Sequence, residues 1–176
     1  MPHTLAEKIL RAHTDATEVS PGEIVMVSCD LVMANDVSGP VAFRQMEKIG
    51  AQQVFDPEKV VLVSDHFAPA RDVRAAELQK RLKEWARAQG VFYYAQGRGG
   101  IEHTVLVEDG RVVPGMVIAG GDSHSCTYGA LGAFGTGFGS TDIAACLAFG
   151  RSGRRCLGPS RSSSLVRSNP SSPART

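Results

Sequence analysis

The sequence of 176 residues is poor in cysteine and lacks the marks of a secreted or membrane protein. Its four cysteines form no C-x-x-C pair, and they stand far apart at Cys29, Cys126, Cys146 and Cys156. Because no signal-peptide pattern is present, we expect no disulfide framework and predict a cytoplasmic location. No apolar run approaches the roughly 20 residues that cross a membrane, so a membrane partner is not predicted.

Nucleotide-binding motifs are also missing. No stretch reads G-x-x-x-x-G-K-[ST], and no G-x-G-x-x-G follows a predicted strand, so nucleotide binding is disfavoured. A zinc site built from His124, Cys126 and either His66 or His103 stays open as an alternative. The spacing of these residues does not match a dense zinc-ligand pattern, and we therefore predict no metal ligands among them.

Charge is divided unevenly along the chain. Residues 1–150 carry 13 Lys and Arg against all 18 acidic residues, a net charge of −5, whereas residues 151–176 carry six Arg and no acid. The latter segment also has eight Ser and three Pro, a composition typical of disorder. We expect one α/β domain over residues 1–150 and a disordered tail over residues 151–176. The abrupt onset of the tail suggests an out-of-frame sequence; a nucleic-acid-binding tail is the alternative.

Strand and helix patterns alternate along residues 1–150. A capping-box sequence begins at Thr4, and Asp72 and Gly90 bracket a predicted helix over residues 73–89. Apolar runs predict strands near residues 23–28, 60–64, 91–95 and 116–119. We interpret residues 29–39 as a loop and residues 104–108 as a further strand. The alternation favours a layered α/β/α domain with a parallel sheet.

Acid–histidine pairs follow two of the predicted strands. Asp65 and His66 come directly after residues 60–64, and Asp122 and His124 follow the run that ends at residue 119. A carboxylate beside an imidazole can fix its tautomer and carry a proton, which suits general acid–base catalysis. These strand ends are therefore the predicted catalytic site.

A third histidine, His103, lies near a tight glycine loop that contains Arg98. Arg98 can clamp a substrate carboxylate, although an exposed arginine on a turn fits the pattern equally well. His3 and His13 have no comparable setting and are interpreted as surface residues. Asn35 and Asp36 form an Asn-Asp turn, and both are interpreted either as site residues or as part of an ordinary capping loop.

Five glycines between residues 129 and 139 follow Asp122, and Ser140-Thr141-Asp142 closes the segment. Glycine is used where the backbone needs positive φ or approaches another group closely. We predict a structured loop that leaves backbone N–H groups free for an anionic ligand. A plain turn with a flexible connection is the alternative.

Several of these motifs together resemble the aconitase superfamily, in the bacterial and archaeal branch of isopropylmalate dehydratases and homoaconitases. The resemblance covers about residues 3–150. It rests on the following segments: Thr4-Leu5-Ala6-Glu7-Lys8-Ile9-Leu10, Asp65-His66, Gly100-Ile101-Glu102-His103, and Gly121-Asp122-Ser123-His124-Ser125 through Gly139-Ser140-Thr141-Asp142.

The resemblance implies a hydro-lyase that isomerises 2-isopropylmalate to 3-isopropylmalate in leucine biosynthesis by dehydration and rehydration. The catalytic positions it implies are Asp65, His66, His103, Asp122 and His124, and the substrate-side positions are Ser123 and, less directly, Asp36. It also implies a [4Fe–4S] cluster, a hydroxy-dicarboxylate substrate and a separate small subunit as partner, with no nucleic acid. A homocitrate-type substrate, as in homoaconitase, is the alternative within the branch.

The cluster ligands are the main departure from the family pattern. The family binds its cluster through three cysteines in later segments, and the four cysteines of this chain do not match them. We therefore expect a fragment that cannot dehydrate its substrate alone. Two other interpretations stay open: a non-catalytic domain that binds a dicarboxylate or a partner, and a zinc-dependent hydrolase that uses His66, His103 and His124.

Overall fold

The computed structural model describes residues 3–16 and 19–156, in which strands and helices alternate. The strands are β1 Ile24–Ser28, β2 Leu31–Asn35, β3 Val60–Val63, β4 Phe92–Tyr94, β5 Val117–Gly120, β6 Phe134–Gly137 and β7 Arg151–Arg155. The helices are α1 Leu5–Ala12, α2 Gly39–Lys48, α3 Val73–Gln89, α4 Glu102–Glu108 and α5 Ser140–Phe149. Two 3-10 segments are formed by Pro57–Lys59 and Ser123–Leu131. None of the helices in these ranges is long and apolar enough to cross a membrane.

Five strands form a parallel sheet in the spatial order β4-β3-β2-β5-β6. The chain builds β3 and β4 on one side of β2, and then returns to the other side of β2 to build β5 and β6. Strands β2, β3 and β5 are buried at every position, which explains their continuous apolar sequences. The layered α/β/α class predicted from the sequence is confirmed.

An apolar core lies on each face of this sheet, because successive side chains of a strand point to opposite faces. On one face, Val32 and Leu62 pack among residues of α2, α3 and α5. On the other face, Met33 packs with Leu106 of α4 and with Tyr128 of the Ser123–Leu131 segment. Both faces of the sheet are therefore covered, and the polar residues that follow the strands lie at the carboxyl ends of the strands.

Local capping interactions fix several helix ends where the sequence predicts them. Thr4 forms the predicted capping box with Glu7, since each side chain accepts a hydrogen bond from the backbone N–H of the other residue. The Asp72 carboxylate accepts from the Ala75 N–H at 2.7 Å and begins α3. Gly90 ends α3 with φ of 69°, a conformation that glycine adopts without steric cost.

Two sequence predictions about local structure are wrong. Residues 31–35, interpreted as loop, form the central strand β2, in which every residue is buried. Residues 104–108, interpreted as a strand, belong to α4. The periodicity of a short apolar run does not distinguish a strand from a buried helix. The apolar run of α4 is that of a helix that packs Leu106 against the sheet.

The glycine-rich segment is more ordered than the predicted loop. The stretch from Asp122 to Asp142 contains the whole Ser123–Leu131 segment and all of β6. Its glycines permit close contact between backbones: a Cβ on Gly137 would lie 2.6 Å from the Asp122 carbonyl oxygen, and one on Gly135 would clash with the Ser125 carbonyl oxygen. Of the two reasons for glycine considered in the sequence analysis, positive φ and close approach of the backbone, close approach is therefore the one that applies to Gly135 and Gly137.

The predicted disorder does not hold at the start of the tail. Residues 151–155 form β7, which pairs antiparallel with β1 so that Ile24 lies opposite Arg155, and Cys156 is buried. Backbone hydrogen bonds form such a ladder whatever the side chains are, and an Arg-rich composition does not prevent it. The remainder of the predicted tail, residues 157–176, lies outside the described residues.

Replacement of Leu82 by alanine is expected to destabilise the fold by about 2–5 kcal/mol, because Leu82 is fully buried between α3 and the sheet. Leu5→Ala is the matched control, since Leu5 is 61% exposed, and we expect a change within about 0.5 kcal/mol. Urea unfolding of both variants measures the difference. Equal losses in the two variants would contradict the assignment of Leu82 to the core.

Candidate active site

The carboxyl ends of three adjacent strands bring the predicted catalytic residues together. Strand β3 is followed by Asp65 and His66, and β5 by Asp122. Strand β2, which lies between β3 and β5, ends at Asn35. The order of the strands reverses at β2 and β5, and open α/β sheets bind ligands in the crevice at such a reversal.

Helix α4 approaches the same edge and adds His103. The Asp65 carboxylate holds the start of this helix, because its Oδ2 accepts the Glu102 N–H at 2.8 Å. With His124 from the Ser123–Leu131 segment, five of the predicted residues are neighbours. We call this set the Asp–His cluster: Asp65, His66, His103, Asp122 and His124.

Asp122 is the hydrogen-bond centre of the Asp–His cluster. Its Oδ1 lies 2.9 Å from His103 Nε2 and 3.0 Å from His124 Nδ1, and it accepts the His124 N–H at 2.6 Å. Burial alone would raise the pKa of this carboxyl, but the hydrogen bonds from His124 and His103 outweigh it and hold the pKa of Asp122 below its usual range. The Asp122 carboxyl is therefore ionised at neutral pH.

His66 is held between two carboxylates, those of Asp65 and Asp122. Its Nδ1 lies 2.7 Å from Asp65 Oδ1, and its Nε2 lies 3.6 Å from Asp122 Oδ2. Burial disfavours the charged imidazole, but the hydrogen bond to Asp65 and the charges of nearby acids raise the pKa of His66 above its ordinary value. His66 thus holds a proton more readily than a free histidine does, which suits a proton donor.

His103 has one tautomer that satisfies both of its ring nitrogens. Since the Asp122 carboxylate can only accept, Nε2 carries the hydrogen of that 2.9 Å bond. The neutral ring then accepts at Nδ1 from the hydroxyl of Tyr128, 3.1 Å away. Burial of Tyr128 raises the pKa of its phenol, so the hydroxyl keeps the hydrogen that it donates.

Asp36 lies beneath the Asp–His cluster. Its carboxylate is completely buried and accepts from the backbone N–H groups of His66 at 3.2 Å and Phe67 at 3.0 Å, and from Ser64 Oγ at 3.3 Å. These contacts hold the turn that carries Asp65 and His66. A direct substrate contact by Asp36 stays a prediction, which its complete burial does not favour.

The other predicted residues are exposed. Ser123 lies at the cluster, and His124 has a side chain that is 80% exposed. Arg98 is exposed on a turn, where its backbone N–H bonds Ala95, and no contact of its guanidinium with the cluster is described. Contacts of Ser123 and Arg98 with substrate stay predictions. His13, interpreted as a surface residue, is largely buried and lies 2.7 Å from Asp30.

Two residues of the site, Glu102 and Tyr128, were missed by sequence reasoning, and Asn35 had been left open between a site residue and a capping residue. Asn35 and Glu102 are buried beside the cluster, and the Asn35 amide donates to Glu102 Oε1 at 3.3 Å. Burial and the neighbouring Asp65 charge raise the pKa of Glu102 to about 8. The position of Glu102 next to His103 is the one signal in the sequence that could have indicated its role. Because residues 104–108 were interpreted as a strand, Glu102 was not predicted to begin a helix at the site.

The cysteines do not fit an iron–sulfur cluster at this site. Such clusters are held by cysteine thiolates, yet Cys29 and Cys146, the latter a buried residue of α5, lie in one apolar core, and Cys156 is buried beside β1. Cys126 is the one cysteine next to the Asp–His cluster, and it is exposed. Carboxylate and imidazole atoms of His103, Asp122 and His124 lie within 4.8 Å of one another and pair by hydrogen bonds, and the absence of metal ligands among them stays a prediction.

The family model for aconitase (aconitate hydratase) matches residues 7–153. The chain therefore belongs to the aconitase family, which confirms the resemblance drawn from its motifs.

Within the aconitase family, the chain is similar to large subunits of 3-isopropylmalate dehydratases. Over 150 residues the chain is 78% identical to 3-isopropylmalate dehydratase large subunit 2 of Rubrobacter xylanophilus, a match that covers 85% of this chain and 35% of the relative. It is 53% identical over 151 residues to the large subunit of Desulfitobacterium hafniense, covering 85% of this chain and 36% of the relative. It is 51% identical over 148 residues to 3-isopropylmalate dehydratase large subunit 1 of Pyrococcus furiosus, a match that covers 84% of this chain and 35% of the relative. The chain thus spans about a third of the length of the curated relatives it matches.

Asp65→Asn is expected to lower the pKa of His66, because it removes the charge that stabilises the imidazolium. The measurement is an NMR titration of the His66 ring protons in the 176-residue chain. Asp15→Asn is the control, since Asp15 is exposed and pairs with Arg151 instead. An unchanged His66 pKa in Asp65→Asn would show that Asp65 does not hold the proton of His66.

Proposed function

We propose that this chain supplies part of the active site of a hydro-lyase large subunit that interconverts 2-isopropylmalate and 3-isopropylmalate in leucine biosynthesis. The observation that carries the proposal is the Asp–His cluster at the reversal point of the sheet. The relatives named 3-isopropylmalate dehydratase large subunit support it. A homocitrate-type substrate is the alternative within the same chemistry, and we take the cytoplasm as the place of action.

The Asp–His cluster suits the acid side of a dehydration. A hydroxyl leaves carbon as water only when it gains a proton, and His66, with its raised pKa, is the group placed to donate it. Ionised Asp122 holds His103 and His124 in fixed orientations through its Oδ1. In the reverse direction, the imidazole of His66 takes a proton from the attacking water, and the same pairs serve hydration.

The proposal includes groups that this chain does not provide. A [4Fe–4S] cluster supplies Lewis-acid chemistry when it is bound, and the four cysteines here do not converge to hold it. We propose that its cysteines come from the part of the large subunit that the relatives have beyond the matched third, and that a small subunit completes the enzyme. On this proposal the 176-residue chain has no dehydratase activity by itself.

A chimaera tests this assignment. Residues 1–150 of this chain replace the aligned 150 residues of the Rubrobacter xylanophilus large subunit, and the product is expressed with the small subunit of that organism. We expect the chimaera to interconvert the two isopropylmalates, and the 176-residue chain alone to be inactive. An inactive chimaera that folds and assembles would refute the proposal, and binding of isopropylmalate without turnover would favour the non-catalytic domain.

Within the active chimaera, Asp122→Asn is expected to lower kcat by about 10²-fold or more, because the amide cannot hold both histidines as the carboxylate does. Glu77→Gln is the matched control, since it removes one negative charge on the exposed side of α3. Steady-state rates of both variants decide the outcome. A full rate in Asp122→Asn would remove Asp122 from the catalytic residues.

A further inference from the structure

Glu102 is a buried acid that the proposed chemistry does not yet use. It is the first residue of α4, and its side chain has no exposed surface. Its backbone is fixed, because the Glu102 N–H donates to Asp65 Oδ2 at 2.8 Å. Acidic side chains are almost never fully buried without a partner, so this position calls for a physical reason.

The two carboxyl oxygens of Glu102 have different surroundings. Oε1 accepts the Asn35 amide at 3.3 Å and lies 3.4 Å from His103 Nε2, which carries a hydrogen. Oε2 is buried, and no hydrogen-bond donor reaches it among the described residues. Oε1 thus has the environment of a carbonyl oxygen. Oε2 has no hydrogen-bond partner in either protonation state, and burial of an unpaired charged oxygen costs more than burial of an uncharged hydroxyl, so these surroundings favour a proton on Oε2.

The charges of Asp65 and Asp122 also raise the pKa of Glu102, whereas that of His66 lowers it. One carboxyl oxygen of Glu102 lies within 4.8 Å of ring or carboxylate atoms of both His66 and Asp122. Ionised carboxylates close to a buried acid disfavour its ionisation, and nearby imidazolium favours it. The titratable groups that face Glu102 come from the turn after β3, the end of β5, the Ser123–Leu131 segment and α4 itself: Asp65, His66, Asp122, Tyr128 and His103.

We propose, on the basis of the function proposed above, that Glu102 is a further positioning residue: it holds a proton on Oε2, stays uncharged, and so leaves the Nε2 hydrogen of His103 to Asp122. The pKa of Glu102, raised to about 8 by burial and by the charge of Asp65, agrees with this geometry. His103 keeps its bond to Asp122 as long as Oε1 stays a weak acceptor. An ionised Glu102 would compete with Asp122 for the Nε2 hydrogen.

This protonation also concerns the substrate. A dicarboxylate with two negative charges must enter beside Asp65 and Asp122. Uncharged Glu102 adds no repulsion, whereas ionised Glu102 adds a third negative charge at the site. The proposal therefore predicts that kcat/KM falls as pH rises through about 8, and that most of the fall is a rise in KM.

The first test uses the stability of the 176-residue chain and needs no activity. The pKa of Glu102 is raised from 4.5 in the unfolded chain to about 8 in the folded one. The folded state therefore binds one more proton between these values, and the stabilisation is lost as pH rises. The folding constant of the wild-type chain should fall by about tenfold per pH unit relative to Glu102→Gln in that window.

Glu108→Gln is the control for this experiment, because Glu108 is the last residue of α4 and is exposed. Its folding constant should keep a fixed ratio to the wild-type value across the window. Infrared difference spectra of the wild-type chain give a second readout that survives a poorly folding variant. A carbonyl band of a protonated carboxyl should disappear between pH 6 and pH 10, at roughly the ends of the expected titration.

The second test uses the active chimaera and its pH profile. Glu102→Gln is expected to remove the alkaline fall in kcat/KM, since glutamine stays uncharged, and Glu108→Gln to keep it. Flat stability ratios together with no infrared change would overturn the inference whatever the activity. An inactive chimaera with a positive stability result would instead refute the proposed function and leave the proton on Glu102 in place. An active chimaera in which Glu102→Gln keeps the alkaline fall would overturn the role in positioning.

Discussion

Burial of β2, β3 and β5 on both faces is the constraint on which the site depends. Side chains within these strands must be apolar because they enter one of the two cores. Polar groups can therefore appear only where a strand ends, and parallel strands end at one edge. The acids and imidazoles after β3 and β5 are neighbours for this reason, although they stand more than fifty positions apart in the sequence.

The local environments within the site shift the pKa values of its titratable groups in different directions. Asp122 accepts several hydrogen bonds and its pKa is lowered, whereas the pKa of His66 is raised beside Asp65. Glu102 has few donors and deep burial, and its pKa is raised. The pKa values of these two carboxyl groups, which lie close together, are thus shifted in opposite directions. Such a separation assigns different roles to side chains of the same type.

The sequence predicts those parts of the molecule that local chemistry determines. The capping box at Thr4, the run that became β3 and the helix from Val73 to Gln89 depend on neighbouring residues, and each was found at its place. Strand β2 was missed because its turn-like Asn35-Asp36 end outweighed a short apolar run. The burial of Glu102 depends on Asn35, Asp65 and His103 meeting in space, which no local pattern records. The strand-end acids and histidines were predictable, and the residues that support them were not.

The ribbon of β1 and β7 has a consequence for the order of folding. Its pairing joins Ile24 to Arg155 and so encloses nearly the whole described chain, whereas the parallel sheet is built from segments closer together. Contacts between distant residues cost more chain entropy and form late. On a ribosome, β1 would emerge early and keep a free edge until residue 155 has been made. Among the described strands, the last to be synthesised is thus the one that covers the edge of the first.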